Sequence, residues 1–186
     1  MQKIVKKVID LGGLFGYNTG TNKNLNVEVE NEGVTYAGGV VAYNSGKISN
    51  CSSSGSVVNV SNDKFSGGLV AYNVGTVELS FSSATVGKSN NVAGGLVGRN
   101  YDGGVIQYSY ASGDVTGKIA GGLIGEQLTE NTNKTVKTLN SYSMGKVTGS
   151  NRAGGLIGHN YAYSNSKTVV EYCYARGLVA GTILTG

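Results

Sequence analysis

The stretch Gly94-Gly95-Leu96-Val97-Gly98-Arg99-Asn100 decides the fold, because close variants of it recur along the chain. A Gly-Gly pair, two apolar residues and a small residue follow one another six times, at intervals of 26 to 33 residues. The pairs begin at Gly12, Gly38, Gly67, Gly94, Gly121 and Gly154. Such a period indicates a repeat architecture, in which each unit buries its apolar face against its neighbours.

The composition narrows the fold class further. Among 186 residues there are 31 Gly, no Pro and no Trp, and only 14% of residues are charged. Collagen requires Gly at every third position with abundant Pro, disordered chains are poor in apolar residues, and helices are destabilised by this much Gly. An ordered β protein remains.

Each repeat contains three short apolar-patterned segments separated by Gly-rich bends. This pattern predicts an all-β fold, a right-handed parallel β-helix in the form of a three-faced β-solenoid of about six coils. The units are too short for propeller blades, which take about 40 residues or more. We predict an N-terminal lead-in or cap at residues 1–11 and one solenoid domain at residues 12–186.

One aligned column holds side-chain amides in every repeat. Its members are Asn18, Asn44, Asn73, Asn100, Gln127 and Asn160. Amides stacked on neighbouring parallel strands can donate and accept along the stack, which predicts a structural ladder. Asn also begins turns, so the column is equally consistent with a turn position.

The column just before the amides is the best candidate for ligand binding. It holds Tyr17, Tyr43, Tyr72, Arg99, Glu126 and His159, and this variation is typical of an exposed position. Aromatic rings at a fixed spacing can stack on sugar rings or on a partner protein. The predicted ligand-binding residues are Tyr17, Tyr43, Tyr72, Arg99 and His159.

Two other columns raise questions of orientation. Strand alternation predicts that a second aromatic run points inward; it consists of Phe81, Tyr110, Tyr142 and Tyr174. The second apolar position after each Gly-Gly pair, as at Val97, would point outward on a straight strand and form an association surface. A bend at the following Gly or Ala would instead turn it inward, and we favour the bend.

Two longer connections stand out, at residues 127–137 and 161–168, and they predict loops that project from the rod. Cys51 and Cys173 occupy the same column four rungs apart. Four rungs span about 19 Å, which is too far for a disulfide, so we expect both thiols to be unpaired.

No catalytic, metal-binding or cofactor-binding constellation is recognisable. His159 is the one His, and the acids share no column that would line a groove. The net charge of +4 is modest and scattered, so we expect no nucleic-acid partner. We also expect no membrane insertion, since no apolar run is long enough, and any targeting segment would lie outside this chain.

The repeated Gly-Gly-Leu-Val-Gly segment, its following Asn, and segments such as residues 109–117 resemble the GLUG repeat. The resemblance covers residues 12–186, although the first unit has Asn22 where later units have Ile or Val. It implies a bacterial surface or secreted protein, such as an adhesin or the non-catalytic part of an immunoglobulin A peptidase. The zinc-binding His-Glu-x-x-His segment of such a peptidase is absent from this sequence.

We therefore expect a non-enzymatic repeat segment located extracellularly or at the cell surface, acting as a rigid stalk or in cell adhesion. Its partners would be a host or matrix protein or a glycan. Alternatives are a non-catalytic peptidase domain, a polysaccharide-active β-helix enzyme, or a filament subunit that associates end-to-end or laterally. The filament is suggested by the ending at residues 181–186, where another Gly-Gly pair would begin.

Overall fold

The computed structural model describes residues 2–88 and 90–181, so most of the ending at residues 181–186 lies outside the described residues. Every regular element in the described part of the chain is a β-strand, and the strands form three parallel sheets that wind through six stacked coils. The predicted all-β parallel solenoid of about six coils is confirmed.

The first sheet follows the Gly-Gly pairs, and its strands stack in the order of the repeats. They are Phe15–Asn18, Val41–Asn44, Val70–Asn73, Val97–Tyr101, Ile124–Thr129 and Ile157–Ala162. The second sheet also stacks in repeat order. Its strands are Thr21–Lys23, Lys47–Ser49, Thr76–Glu78, Val105–Gln107, Thr135–Leu139 and Lys167–Glu171.

The third sheet closes each coil and leads to the next Gly-Gly pair. It has 13 strands because several coils break it into short pieces. They are Gln2–Gly12, Asn26–Gly38, Ser52–Asn59, Phe65–Gly67, Phe81–Ser82, Thr85–Val86, Val92–Gly94, Tyr110–Ala111, Val115–Gly121, Tyr142–Ser143, Val147–Gly154, Tyr174–Ala175 and Val179–Gly181. Gln2–Gly12 pairs with Asn26–Gly38, so the chain adds a third-sheet strand before its first complete coil.

The core is built from the two apolar columns that follow the Gly-Gly pairs. Leu96 and Val97 are both fully buried in one continuous cluster, as are the equivalent residues of the second, third and fifth coils. A straight strand would turn one of them outward, so the backbone bends at the small residue that follows. The bend is the correct alternative, and this column forms no exposed association surface in those four coils.

The second Gly of the second to fifth pairs fits a corner that leaves no room for a side chain. A Cβ on Gly95 would lie 2.2 Å from the Gly122 carbonyl oxygen and 2.8 Å from the Ala111 Cβ. The corner packs against a column of small side chains on the third sheet, namely Ser53, Ser82, Ala111 and Ser143. This close approach explains why the pair recurs in these four coils, whereas a Cβ on Gly13 or Gly155 would come no nearer than 3.0 Å to any atom.

The second aromatic run points outward, and the inward prediction was wrong. Phe81 is 36% exposed and Tyr174 50% exposed, while the ring-bearing positions alternate with buried Ser82 and Ala111. The reason is a corner residue in the left-handed conformation, such as Leu79 with φ 49°. It occupies the bend itself, so the alternation of the second sheet does not carry over to the third.

About half of the residues in each of the two longer connections belong to strands, which corrects the prediction of projecting loops. In the fifth coil the flanking strands extend to Thr129 and begin again at Thr135, and the sixth coil lengthens in the same places. Thr129 pairs with Ala162 and Thr135 with Lys167. Because the insertions lie on adjacent rungs, they continue the sheets and leave only short turns.

Candidate functional site

The predicted ligand-binding residues lie in a single column on the outer side of the first sheet. Register pairs join the members from rung to rung, first Tyr17 to Tyr43 and Tyr43 to Tyr72. Arg99 then pairs with Tyr72 and with Glu126, and Glu126 pairs with His159. We call these six residues the mixed column.

The aromatic half of the mixed column is a face-to-face stack. The ring centroids of Tyr17 and Tyr43 are 4.7 Å apart at 4°, and those of Tyr43 and Tyr72 are 5.2 Å apart at 8°. In such a stack each inner ring face is covered by its neighbour, so solvent meets the ring edges. The ring faces of Tyr43 are therefore covered on both sides, whereas Tyr17 at the end of the stack is 57% exposed.

Two aromatic residues that the sequence analysis missed cover this half of the column. Tyr36 lies 5.3 Å from Tyr72, and Phe65 lies 5.8 Å from Tyr72 in an edge-on contact, both measured between ring centroids. Each stands two residues before a Gly-Gly pair. Because the chain folds back sharply at that corner, these positions come to lie beside the first sheet. Their fixed offset from the pair was the signal that could have found them.

The ionic half of the column is largely buried, which corrects the expectation of an exposed position. The Arg99 guanidinium lies 4.4 Å from the centroid of the Phe65 ring, and its Nη2 donates to Glu126 Oε2 at 2.8 Å. Glu126 is only 6% exposed. A guanidinium suits this position because it can stack on an aromatic face and pair with a carboxylate at the same time.

His159 ends the column, and its side-chain Nδ1 has no hydrogen-bond partner. Its Nδ1 is 3.6 Å from Glu126 Oε1, too long for a hydrogen bond, and that nitrogen is buried.

Burial shifts the pKa of Tyr72. Removal from solvent raises the pKa of the phenol to about 12, although Arg99 acts in the opposite direction. Tyr72 therefore stays neutral at physiological pH.

The amide column forms a chain of hydrogen bonds through the interior. Asn18 Nδ2 donates to Asn44 Oδ1 at 2.7 Å, and Asn44 to Asn73 and Asn73 to Asn100 at 2.8 Å each. Asn100 donates to Gln127 at 3.3 Å, and Gln127 to Asn160 at 3.4 Å. The amides also serve the turn, since Asn73 Nδ2 reaches the Gly75 carbonyl. Ladder and turn therefore coexist.

A second aromatic stack runs along the third sheet, and we call it the third-sheet stack. Its members are Phe81, Tyr110, Tyr142 and Tyr174. Successive ring centroids are 4.9, 5.0 and 4.9 Å apart, with interplanar angles of 1° to 3°. Nearby, Leu79, Tyr108 and Tyr172 are 57%, 56% and 83% exposed in the left-handed conformation.

Chemical groups that could hold a metal are scattered. Within the described residues, no group of three or more His, Cys, Asp or Glu is placed to bind a metal ion. In the same part of the chain, no helix is long and apolar enough to cross a membrane. Cys51 and Cys173 are free thiols, and burial raises the pKa of both.

Comparison with known proteins agrees with the repeat pattern. The family profile described as the GLUG motif matches residues 33–58, 89–116 and 149–183, which contain the second, fourth and sixth Gly-Gly pairs. No curated protein matches the chain. With three profile matches distributed over six structurally equivalent coils, the chain is a GLUG-motif repeat protein.

Proposed function

We propose that this chain is a non-enzymatic, rigid stalk segment of a bacterial cell-surface or secreted protein. The observation that supports this most is the uninterrupted amide ladder, which runs parallel to the rod through all six coils and is buried in the first five. Axial stretching or bending would strain the ladder and the hydrogen bonds of three sheets together. A rod of this kind holds whatever it carries at a fixed distance.

Rigidity can be measured directly with two spin labels on one register column. Lys23 and Glu171 belong to the same second-sheet column, five rungs apart. With both native cysteines changed to Ser, labels at Lys23→Cys and Glu171→Cys should give a narrow distance distribution whose backbone separation is about 24 Å. A broad distribution would rule out a stalk.

A matched pair of labels calibrates the measurement. Leu139 lies one rung before Glu171 in that column. Labels at Lys23→Cys and Leu139→Cys should therefore shorten the distance by one rung, about 4.8 Å. Equal distances for both pairs would contradict a regular stacked rod.

A second candidate function is adhesion to a host or matrix protein or a glycan through the corner residues Leu79, Tyr108 and Tyr172. All three are exposed apolar side chains held at positive φ, an arrangement that costs stability on two counts. Contact of these side chains with a partner would offset this loss of stability. Replacing all three by Asn should abolish capture by immobilised collagen, fibronectin or laminin; unchanged capture, or none by the native chain, would contradict this candidate.

A further inference from the structure

The third-sheet stack ends at Phe81, and a small cleft begins there. One face of the Phe81 ring is covered by Tyr110, at 4.9 Å between centroids and 1° between planes. On the other side Phe81 pairs in register with Ser52, whose side chain is too small to cover a ring. The resulting cleft of about 310 Å³ includes Phe81, Ser52 and Asn26 in its lining. We call it the Phe81 notch.

The dimensions of the notch suit one ring-shaped group. Ser52 pairs in turn with Asn26, so Phe81 and Asn26 stand two rungs apart on the same column. Two rungs span roughly 10 Å. A flat group at the level of Ser52 would continue the stack at its existing spacing of 4.9 to 5.0 Å and would meet the Asn26 side chain on its far side.

The rim of the notch is polar and neutral. Asn50 Nδ2 donates to Asn24 Oδ1 at 2.8 Å, and Ser52 Oγ donates to Asn26 Oδ1 at 3.1 Å. A side-chain amide has two N–H donors and an oxygen with two lone pairs. One hydrogen bond within each pair therefore leaves further N–H groups and lone pairs that can bond to a ligand. The residues that line the notch carry no formal charge.

We propose that the Phe81 notch binds a single neutral pyranose ring of a glycan. The flat C–H face of the sugar packs on the electron-rich face of Phe81, and its hydroxyls exchange hydrogen bonds with the amides of Asn24, Asn26 and Asn50. An aromatic side chain of a partner protein would use the ring face but would leave the amide rim without a function. The site is independent of the stalk, and a flexible rod could still contain it.

The test is titration with methyl glycosides of glucose, galactose, mannose and N-acetylglucosamine, followed by backbone amide shifts in nuclear magnetic resonance. We expect at least one glycoside to give saturable shifts centred on Ser52 and Phe81. Ser52→Phe places a ring in the notch and continues the stack, so it should weaken binding about tenfold or more while the fold is kept. Phe81→Leu removes the flat face and should also weaken binding, which covers the case in which Ser52→Phe fails to fold.

Controls separate the notch from exposed aromatic residues in general. Tyr172→Ser removes the most exposed of the large hydrophobic side chains, far along the rod, and should leave binding unchanged. The aromatic probe N-acetyltyrosinamide and the charged probe glucuronate should bind more weakly than the neutral glycoside. The proposal is overturned if no glycoside binds, if binding survives in Ser52→Phe, or if N-acetyltyrosinamide binds in place of the sugars.

Discussion

At the scale of single residues, the corner glycines carry the strictest requirement in the molecule. Gly95→Ala would place a Cβ 2.2 Å from the Gly122 carbonyl oxygen, and both atoms belong to backbone that is fixed by the sheets. We expect the free energy of unfolding to fall by about 3 kcal/mol. Gly20→Ala is the matched control, because nothing lies within 4 Å of its Cβ. Urea unfolding of both variants measures the difference, and equal losses would contradict the corner argument.

Tyr72 makes a second prediction at this scale, concerning alkaline pH. Burial raises the pKa of its phenol to about 12 in the folded chain, whereas in the unfolded chain it is about 10. The stability that depends on the neutral phenol is therefore complete below pH 10 and is lost as pH rises toward 12. We expect the free energy of unfolding to fall over that window, and less steeply in Tyr72→Phe.

The control for the alkaline experiment is Tyr172→Phe. Tyr172 is 83% exposed, so this variant removes a phenol that lies outside the buried mixed column. Unfolding by urea at several pH values, with tyrosinate absorbance recorded in parallel, gives both quantities. Identical slopes for the native chain and Tyr72→Phe would show that Tyr72 does not contribute.

At the scale of elements, the amide ladder is the feature whose interruption should cost most. Asn73 is fully buried, and Asn73→Ala removes the ladder acceptor of Asn44 and leaves the side-chain oxygen of Asn100 without its ladder donor inside the rod. We expect a loss of about 3 kcal/mol in the free energy of unfolding. Asn160→Ala, at the exposed end of the same ladder, should cost less than about 1 kcal/mol. Thermal and urea unfolding measure the two losses. Equal losses in the free energy of unfolding for both variants would contradict the role of the ladder.

The corner position between the second and third sheets, where Tyr108 has a positive φ, gives a prediction of increased stability. Asn24, Asn50 and Asn140 occupy it in other coils, and Asn tolerates this conformation better than Tyr does. Tyr108→Asn should therefore raise the free energy of unfolding by about 0.5 kcal/mol. Tyr108→Ala removes the exposed ring but keeps the strain, so it should show no gain. Equal effects of the two substitutions would assign the change to ring exposure instead.

The two kinds of corner in each coil differ in how well the sequence predicts them. The Gly-Gly period predicted the coils and the core. A Gly marks a position where no side chain fits, and the two apolar residues after it mark positions that are buried. The orientation of Tyr110 was predicted wrongly because the left-handed residue two positions before it is Tyr108, and only the equivalent Asn24, Asn50 and Asn140 of other coils signal a positive φ. The burial of Arg99 depends on Phe65, a neighbour brought close only by the folding back of the chain.

At the scale of the whole molecule, the stacking of equivalent columns implies that coils are interchangeable units. In a solenoid each repeat contacts only its neighbours, so stability is approximately a sum over coils and their interfaces. Deleting residues 68–94 removes one period and joins Gly67 to Gly95, which restores a Gly-Gly pair. The amide of Asn44 would then meet that of Asn100, and Tyr43 would pack on Arg99 in place of Tyr72.

We expect this deletion to leave a folded rod that is one rung, about 4.8 Å, shorter and somewhat less stable. Circular dichroism and small-angle scattering measure the fold and the length. Deleting only residues 68–80 is the contrasting variant, because it joins a third-sheet end directly to Phe81 and misaligns every column above it. That chain should lose cooperative unfolding. If the full-period deletion also abolished folding, the coils would be a single indivisible core and not a stack of independent rungs.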